Sequence, residues 1–168
     1  MATRPIPHSR IRRLRSELER EKASLAADCA VWIESAKHGD PEDDLSSFWG
    51  YVQGPAETPY DGGLYVFHVL IPTEYPFRPP RMRCINPIWH PNFCPETGHV
   101  CSDFLQDMWT PALTLRTTLL MMSGLLSYPP MDEHLTSHLN VEAAGQYEGN
   151  FPSWRRKARD WTKVSYMK

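Results

Sequence analysis

Pro59-Tyr60-Asp61-Gly62-Gly63-Leu64-Tyr65-Val66-Phe67-His68-Val69-Leu70-Ile71 is the stretch that decides the fold: a glycine-bearing turn runs straight into eight residues dominated by apolar and aromatic side chains. The run is far shorter than the roughly 20 apolar residues of a membrane span. Its aromatic and branched content suits a strand, and the Asp-Gly pair before it favours a tight hairpin. Phe48 to Gln53 upstream and Arg81 to Ile85 downstream have the same character, and Pro72 and Pro76-Phe77-Arg78-Pro79-Pro80 break the connection between the later two. Successive hairpins imply an antiparallel meander.

Helical patterns lie on either side. Ile11, Leu14, Leu18 and Leu25 recur at helical spacing from a start near Ser9 and predict one apolar stripe, with the arginines on the outer faces. Those arginines suit either a solvated face or a partner-docking face. Thr114 is placed to cap a helix whose apolar face is Leu115, Leu119, Met122, Leu125 and Leu126, ended by Pro129-Pro130. Trp154, Ala158, Trp161 and Ser165 predict a last helix from about Ser153. From Asn86 to Pro111 four prolines and little periodicity predict a long irregular loop, the kind of segment that commonly carries function.

A chain of 168 residues suits one domain, taken as 1–168, with a core that needs no staples. A formal net charge of −2 argues against a general nucleic-acid binder, although both ends are locally basic. Cysteines at 29, 84, 94 and 101 form no C-x-x-C pair and no signal-like segment precedes them. A reducing intracellular setting is therefore expected, without a zinc ribbon or a secreted disulfide framework.

Chemistry concentrates in the proline-rich loop, where His90-Pro91-Asn92 is followed by Cys101 and then by Trp109-Thr110-Pro111-Ala112-Leu113-Thr114. A cysteine near a histidine is open to many explanations, since a buried cysteine behaves as a small hydrophobe. A hydrolase pairing Cys101 with His90 or His99 would need a third, orienting residue that the sequence does not single out. Zinc held by Cys84, His90, Cys94 and Cys101 would lack the close paired spacing of structural sites.

Taken in order, the pieces resemble the ubiquitin-conjugating enzyme family. The likeness runs from the basic first helix through Gly54-Pro55, Thr58-Pro59-Tyr60-Asp61-Gly62-Gly63, Tyr75-Pro76-Phe77-Arg78-Pro79-Pro80, His90-Pro91-Asn92, Cys101 and Trp109 to Thr114, to the helix of Trp161. It implies an α+β fold: an N-terminal helix, a four-stranded antiparallel meander, a long active-site loop and C-terminal helices. It also implies a thioester relay in which Cys101 receives ubiquitin from an activating enzyme and surrenders it to a substrate lysine or a ligase.

On that resemblance Cys101 is the nucleophile and Asn92 the amide that hydrogen-bonds the tetrahedral oxyanion, fixes its loop, or does both. His90 and Pro91 order the loop. Asp132, with Glu133, forms an acidic gate for the incoming lysine, and Asp103 is a further acidic neighbour. Pro76, Phe77, Trp109, Pro111 and Ala112 match the loops on which RING or HECT ligases dock, and Arg12 and Arg13 the helix face that meets the activating enzyme. Protein substrates complete the partners; no metal or cofactor is implied, because ATP is consumed upstream by the activating enzyme. The implied compartment is cytoplasmic or nuclear, with a faint likeness to the peroxisomal branch.

The chain departs from the family pattern in several places. Eight residues separate Asn92 from Cys101, one more than is usual, and Ser102, Trp89 and His134 replace the common leucine, tyrosine and proline. A catalytically inactive scaffold that binds ubiquitin, or a carrier of another modifier, stands as the alternative.

Overall fold

Alternation of side chains builds the sheet. The computed structural model describes residues 8–24, 30–35, 45–100, 102–129 and 138–165. Within it, strands β1 (Val31–Ser35), β2 (Ser47–Gln53), β3 (Leu64–Leu70) and β4 (Arg81–Cys84) pair antiparallel in the order β1-β2-β3-β4. Their register aligns three inward rows: Val31, Val52 and Tyr65; Ile33, Gly50, Phe67 and Cys84; Phe48, Val69 and Met82. Every member of these rows is buried, while intervening residues such as Trp49, Tyr51, Val66 and His68 are only half-buried on the other side. That is the period-two division of a sheet with one covered face.

Among the described residues five helices accompany the sheet: α1 (His8–Ser24), α2 (Ser102–Met108), α3 (Leu115–Ser127), α4 (Val141–Gly149) and α5 (Phe151–Ser165). Helix α3 lies on the inner face against β1 and β2, burying Leu115, Leu119, Met122, Leu125 and Leu126. Gly50 makes room for it, since a Cβ there would come within 2.6 Å of Leu119. The Thr114 cap forms as expected: its side chain accepts from the Thr117 amide while Thr117 returns a bond to the Thr114 amide, a capping box.

The β2–β3 connection corrects the tight-hairpin expectation. Gln53 pairs with Leu64, the Gly54 amide donates to Gly63 O at 2.7 Å, and the residues between form a folded loop rather than a two-residue turn. Thr58 stabilises that loop, its hydroxyl donating to Pro55 O and accepting from the Tyr60 amide. The sequence patterns also passed over β1, α2 and α4, and α5 starts two residues earlier than its pattern suggests. The segment 86–111 is thus an ordered loop only as far as α2.

The buried stripe of α1 is rotated from the predicted one. Leu14 is buried as expected, but Ile11 and Leu18 are only partly buried, and Leu25 lies outside the described residues. Arg10, Glu17 and Glu21 share the buried face instead, at 2%, 4% and 7% exposure. The outer-face reading of the arginines holds for Arg12, Arg15 and Arg20, while Arg13 is only half-exposed and Arg10 is buried. Arg10 donates to the carbonyls of Leu45, Ile71 and Pro72, and Arg13 pairs with Glu17 and donates to Pro111 O and Leu113 O. Carbonyls left over at loop bends need donors, and a guanidinium supplies several in a fixed fork.

Candidate active site

The His90-Pro91-Asn92 turn is held from all sides. His90 is fully buried: its Nε2 donates to Leu125 O of α3 at 3.0 Å and its Nδ1 accepts from the Asn92 amide at 3.0 Å. These two bonds require the neutral tautomer that carries its proton on Nε2. Burial drives the imidazole pKa down to about 3, against a smaller opposing effect of the Leu125 carbonyl. A ring with both nitrogens committed, and unable to gain a proton near neutrality, orders its loop and cannot act as the base of a cysteine hydrolase.

The neighbours complete the clamp. Pro91 O accepts from the Asn140 amide at the start of α4, and Trp89 O accepts from the buried Tyr60 hydroxyl at 2.8 Å. The Trp89 ring packs on Trp161 of α5, Lys157 lies 3.4 Å from its centroid, and its Nε1 donates to Gln146. The tryptophan that replaces the usual tyrosine therefore draws α4 and α5 onto the turn.

Asn92 stands out because both polar atoms of its carboxamide, Oδ1 and Nδ2, are unpartnered among the described residues, whereas nearby Asn140 and Trp154 each leave a single nitrogen so. Its side chain is fully buried. Beyond it the chain reverses. Phe93 bridges Val100, Arg83 bridges His99, the Cys94 amide donates to His99 O, and Gly98 links both limbs through its amide to Cys94 O and its carbonyl to the Cys84 amide. Gly98 has φ +71° and a Cβ there would stand 1.9 Å from Cys84 O, so the reversal requires glycine.

Cys101 follows Val100 and, with Asp132 and Glu133, lies outside the described residues; Asp103 falls in α2, where its side chain is not described. Two other thiols are described. Burial pushes Cys84 up to about 12, which makes it inert and unsuited to serve as a thiolate ligand. Cys94 is half-buried and its Sγ donates to the Glu96 carboxylate at 3.2 Å. Among the described residues no group of three metal-ligating side chains is assembled.

The two sequence-predicted docking loops come together. Phe77 is 77% exposed, and Pro111 and Ala112 are exposed beside it in character. Trp109 corrects the expectation of a free aromatic anchor: it is half-buried, packs against Tyr75, and donates from Nε1 to Pro76 O at 2.7 Å. It therefore joins the two loops from beneath. The residue that the sequence patterns missed here is Glu17, whose carboxylate accepts from the Tyr75 hydroxyl and the Leu115 amide. Its place among the basic residues of α1 gave no sign of burial.

A helix precedes a four-stranded antiparallel meander, and a histidine-locked turn bearing a buried amide stands nine positions before Cys101 in the sequence. The ubiquitin-conjugating enzyme family profile matches residues 13–162, and the chain belongs to that family. It is 35% identical over 154 residues to ubiquitin-conjugating enzyme E2 1 of Schizosaccharomyces pombe, covering 92% of this chain and 66% of that protein. It is 39% identical over 123 residues to human ubiquitin-conjugating enzyme E2 K, covering 73% of this chain and 60% of that protein. The chain thus spans 60–66% of the length of these two relatives. A crystal structure described as a putative ubiquitin conjugating enzyme from Plasmodium yoelii superposes with a TM-score of 0.79 at 31% identity, covering 95% of this chain and 96% of that one.

Proposed function

We propose that this chain is the catalytic core of a ubiquitin carrier in which Cys101 holds the modifier as a thioester and delivers it to a lysine or a ligase. In loading, the Cys101 thiolate attacks the thioester carbonyl presented by the activating enzyme and expels that enzyme's thiolate, so one thioester replaces another. In transfer, a neutral lysine amine attacks the carbonyl and forms a tetrahedral oxyanion. That intermediate collapses by expelling the Cys101 thiolate, and the amine proton passes to a nearby base.

A lysine pKa of about 10.4 leaves few neutral amines at neutral pH, so the gate must favour deprotonation; Asp132 is assigned the positioning of the incoming amine. The observation that carries the proposal is the Asn92 carboxamide, buried and unpartnered among the described residues. An unmade buried hydrogen bond costs about 1–3 kcal/mol, a cost that is productive where the amide bonds a charge present only in the transition state.

The partners follow from the same reading: ubiquitin, an activating enzyme meeting the exposed Arg12, and RING or HECT ligases meeting Pro76, Phe77, Pro111 and Ala112, with Trp109 holding the two loops together. Arg13 supports the ligase loops from within. ATP is consumed by the activating enzyme, and no cofactor is assigned to this chain. Among the described residues no helix is long and apolar enough to cross a membrane, and the free thiols of Cys84 and Cys94 suit a reducing cytoplasmic or nuclear setting.

Incubation with activating enzyme, ATP and ubiquitin, followed by gels with and without reductant, tests the proposal. A reductant-sensitive adduct should form on wild type and Cys94→Ala and vanish in Cys101→Ala. No adduct on wild type would favour the scaffold or another modifier, and an adduct surviving in Cys101→Ala would remove Cys101 as nucleophile.

A further inference from the structure

We propose that Glu17 is a positioning residue for ligase docking: its buried carboxylate fixes the Pro76-Phe77 loop and the Pro111-Ala112 loop at one spacing on α1. The inference rests on the docking role proposed for those loops. Glu17 is 4% exposed and gathers donors from three separate segments. Oε1 accepts from the Tyr75 hydroxyl at 2.6 Å, one residue before Pro76, and also pairs with Arg13 Nε. Oε2 accepts from the Leu115 amide at 2.7 Å, just after the second loop.

Arg13 extends the same hold. Its other two nitrogens donate to Pro111 O at 2.9 Å and Leu113 O at 2.7 Å, while Trp109 Nε1 bonds Pro76 O across the gap between the loops. Neither loop belongs to the sheet, so this charged cluster takes the place of a ladder in setting their separation. A network with every member satisfied is stiff, and loss of one member leaves the others unpaired in a medium of low dielectric. Stiff loops matter to binding because a partner then meets its anchors without ordering them. The chemistry at Cys101 uses none of these groups, so the expected effect is on affinity for the ligase and not on the rate once it is bound.

The test uses the full chain loaded with ubiquitin, free lysine as acceptor, and a RING domain titrated as the probe. Two variants are compared with wild type: Glu17→Gln, which keeps the shape and removes the charge, and Tyr75→Phe, which deletes a single hydroxyl and keeps the question open if the first variant folds poorly. The RING concentration at half-maximal stimulation should rise about tenfold for Glu17→Gln, the scale set by a charge-assisted buried hydrogen bond, and less for Tyr75→Phe. The plateau rate and the rate without RING should match wild type. Unchanged half-saturation in both variants, or a lower plateau at unchanged half-saturation, overturns the proposal alone. Failure of RING domains to stimulate wild type overturns the docking role itself and the proposal with it.

Discussion

At the scale of single residues, His90 and Asn92 divide the work of the turn, and each division has a measurable consequence. The folded state holds the His90 imidazole neutral, with its pKa lowered by burial to about 3 from an ordinary 6.5. Between those values the unfolded chain binds a proton that the folded chain refuses. The stabilisation is therefore complete above about pH 6.5 and is lost as pH falls toward 3, at about 1.4 kcal/mol per pH unit. His90→Gln keeps one donor and one acceptor without titrating, so its urea-melt stability should fall less steeply between pH 6 and pH 4, by about one proton. Parallel acid limbs would show that His90 is not held neutral. Asn92→Ala removes an amide with no partner among the described residues, so the thermal midpoint should hold steady while lysine transfer slows by about a hundredfold to a thousandfold and loading persists. A midpoint loss with equal loss of loading would return Asn92 to a purely loop-fixing part.

Among the elements, the reversal from Phe93 to Val100 is the one on which the site depends, and Gly98 is its hinge. Gly98→Ala would force a Cβ to within 1.9 Å of Cys84 O at a φ of +71°, and relief requires breaking the Gly98–Cys84 bond. A cost of about 1–3 kcal/mol is expected, read as a lower denaturation midpoint, together with slower loading because both bridges beside position 101 depend on that bond. An unaltered midpoint would mean that the reversal tolerates a side chain. Elements with strong patterns were legible from sequence. Strand β3 alternates buried and half-buried residues along its middle, and α3 carries both its apolar face and its Thr114 cap. The others lacked a pattern to read. Helix α4 buries only Ala143 and Ala144, too small to mark a stripe, and among the described side chains of α2 only Leu105 is buried. The Asp61-Gly62 pair suggested a two-residue hairpin because local turn chemistry does not reveal that Gly54 bonds Gly63 across a longer loop. At the site, Asn92 was legible as a motif, whereas Glu17 was not, since a glutamate among surface arginines is ordinarily exposed.

Across the whole molecule, α1 is attached by charged groups turned inward as well as by Leu14, and Arg10 fastens it to the bends beside β2 and β3. It is 2% exposed and donates to Leu45 O before β2 and to Ile71 O and Pro72 O after β3. Those carbonyls stand at bends where the sheet no longer supplies donors. Arg10→Leu would bury a comparable apolar volume yet leave Leu45 O and Ile71 O without this donor, at about 1–3 kcal/mol for each that stays buried and unpaired, while Pro72 O keeps the Tyr75 amide. A total loss of about 3–5 kcal/mol is expected, a large share of the stability of an ordinary domain. Arg10→Lys should recover only part of it, because an ammonium cannot span the carbonyls as a planar fork does. Denaturant midpoints of the three chains give the order arginine, lysine, leucine if the fork is what matters; equal midpoints for arginine and leucine would place the attachment of α1 in Leu14 and its apolar neighbours. Loading rates separate attachment from docking, since Arg10 is hidden from any partner: a loss of loading in Arg10→Leu that tracks the unfolded fraction reports a loosened helix, whereas charge reversal at the exposed Arg12 should slow loading with the midpoint unmoved.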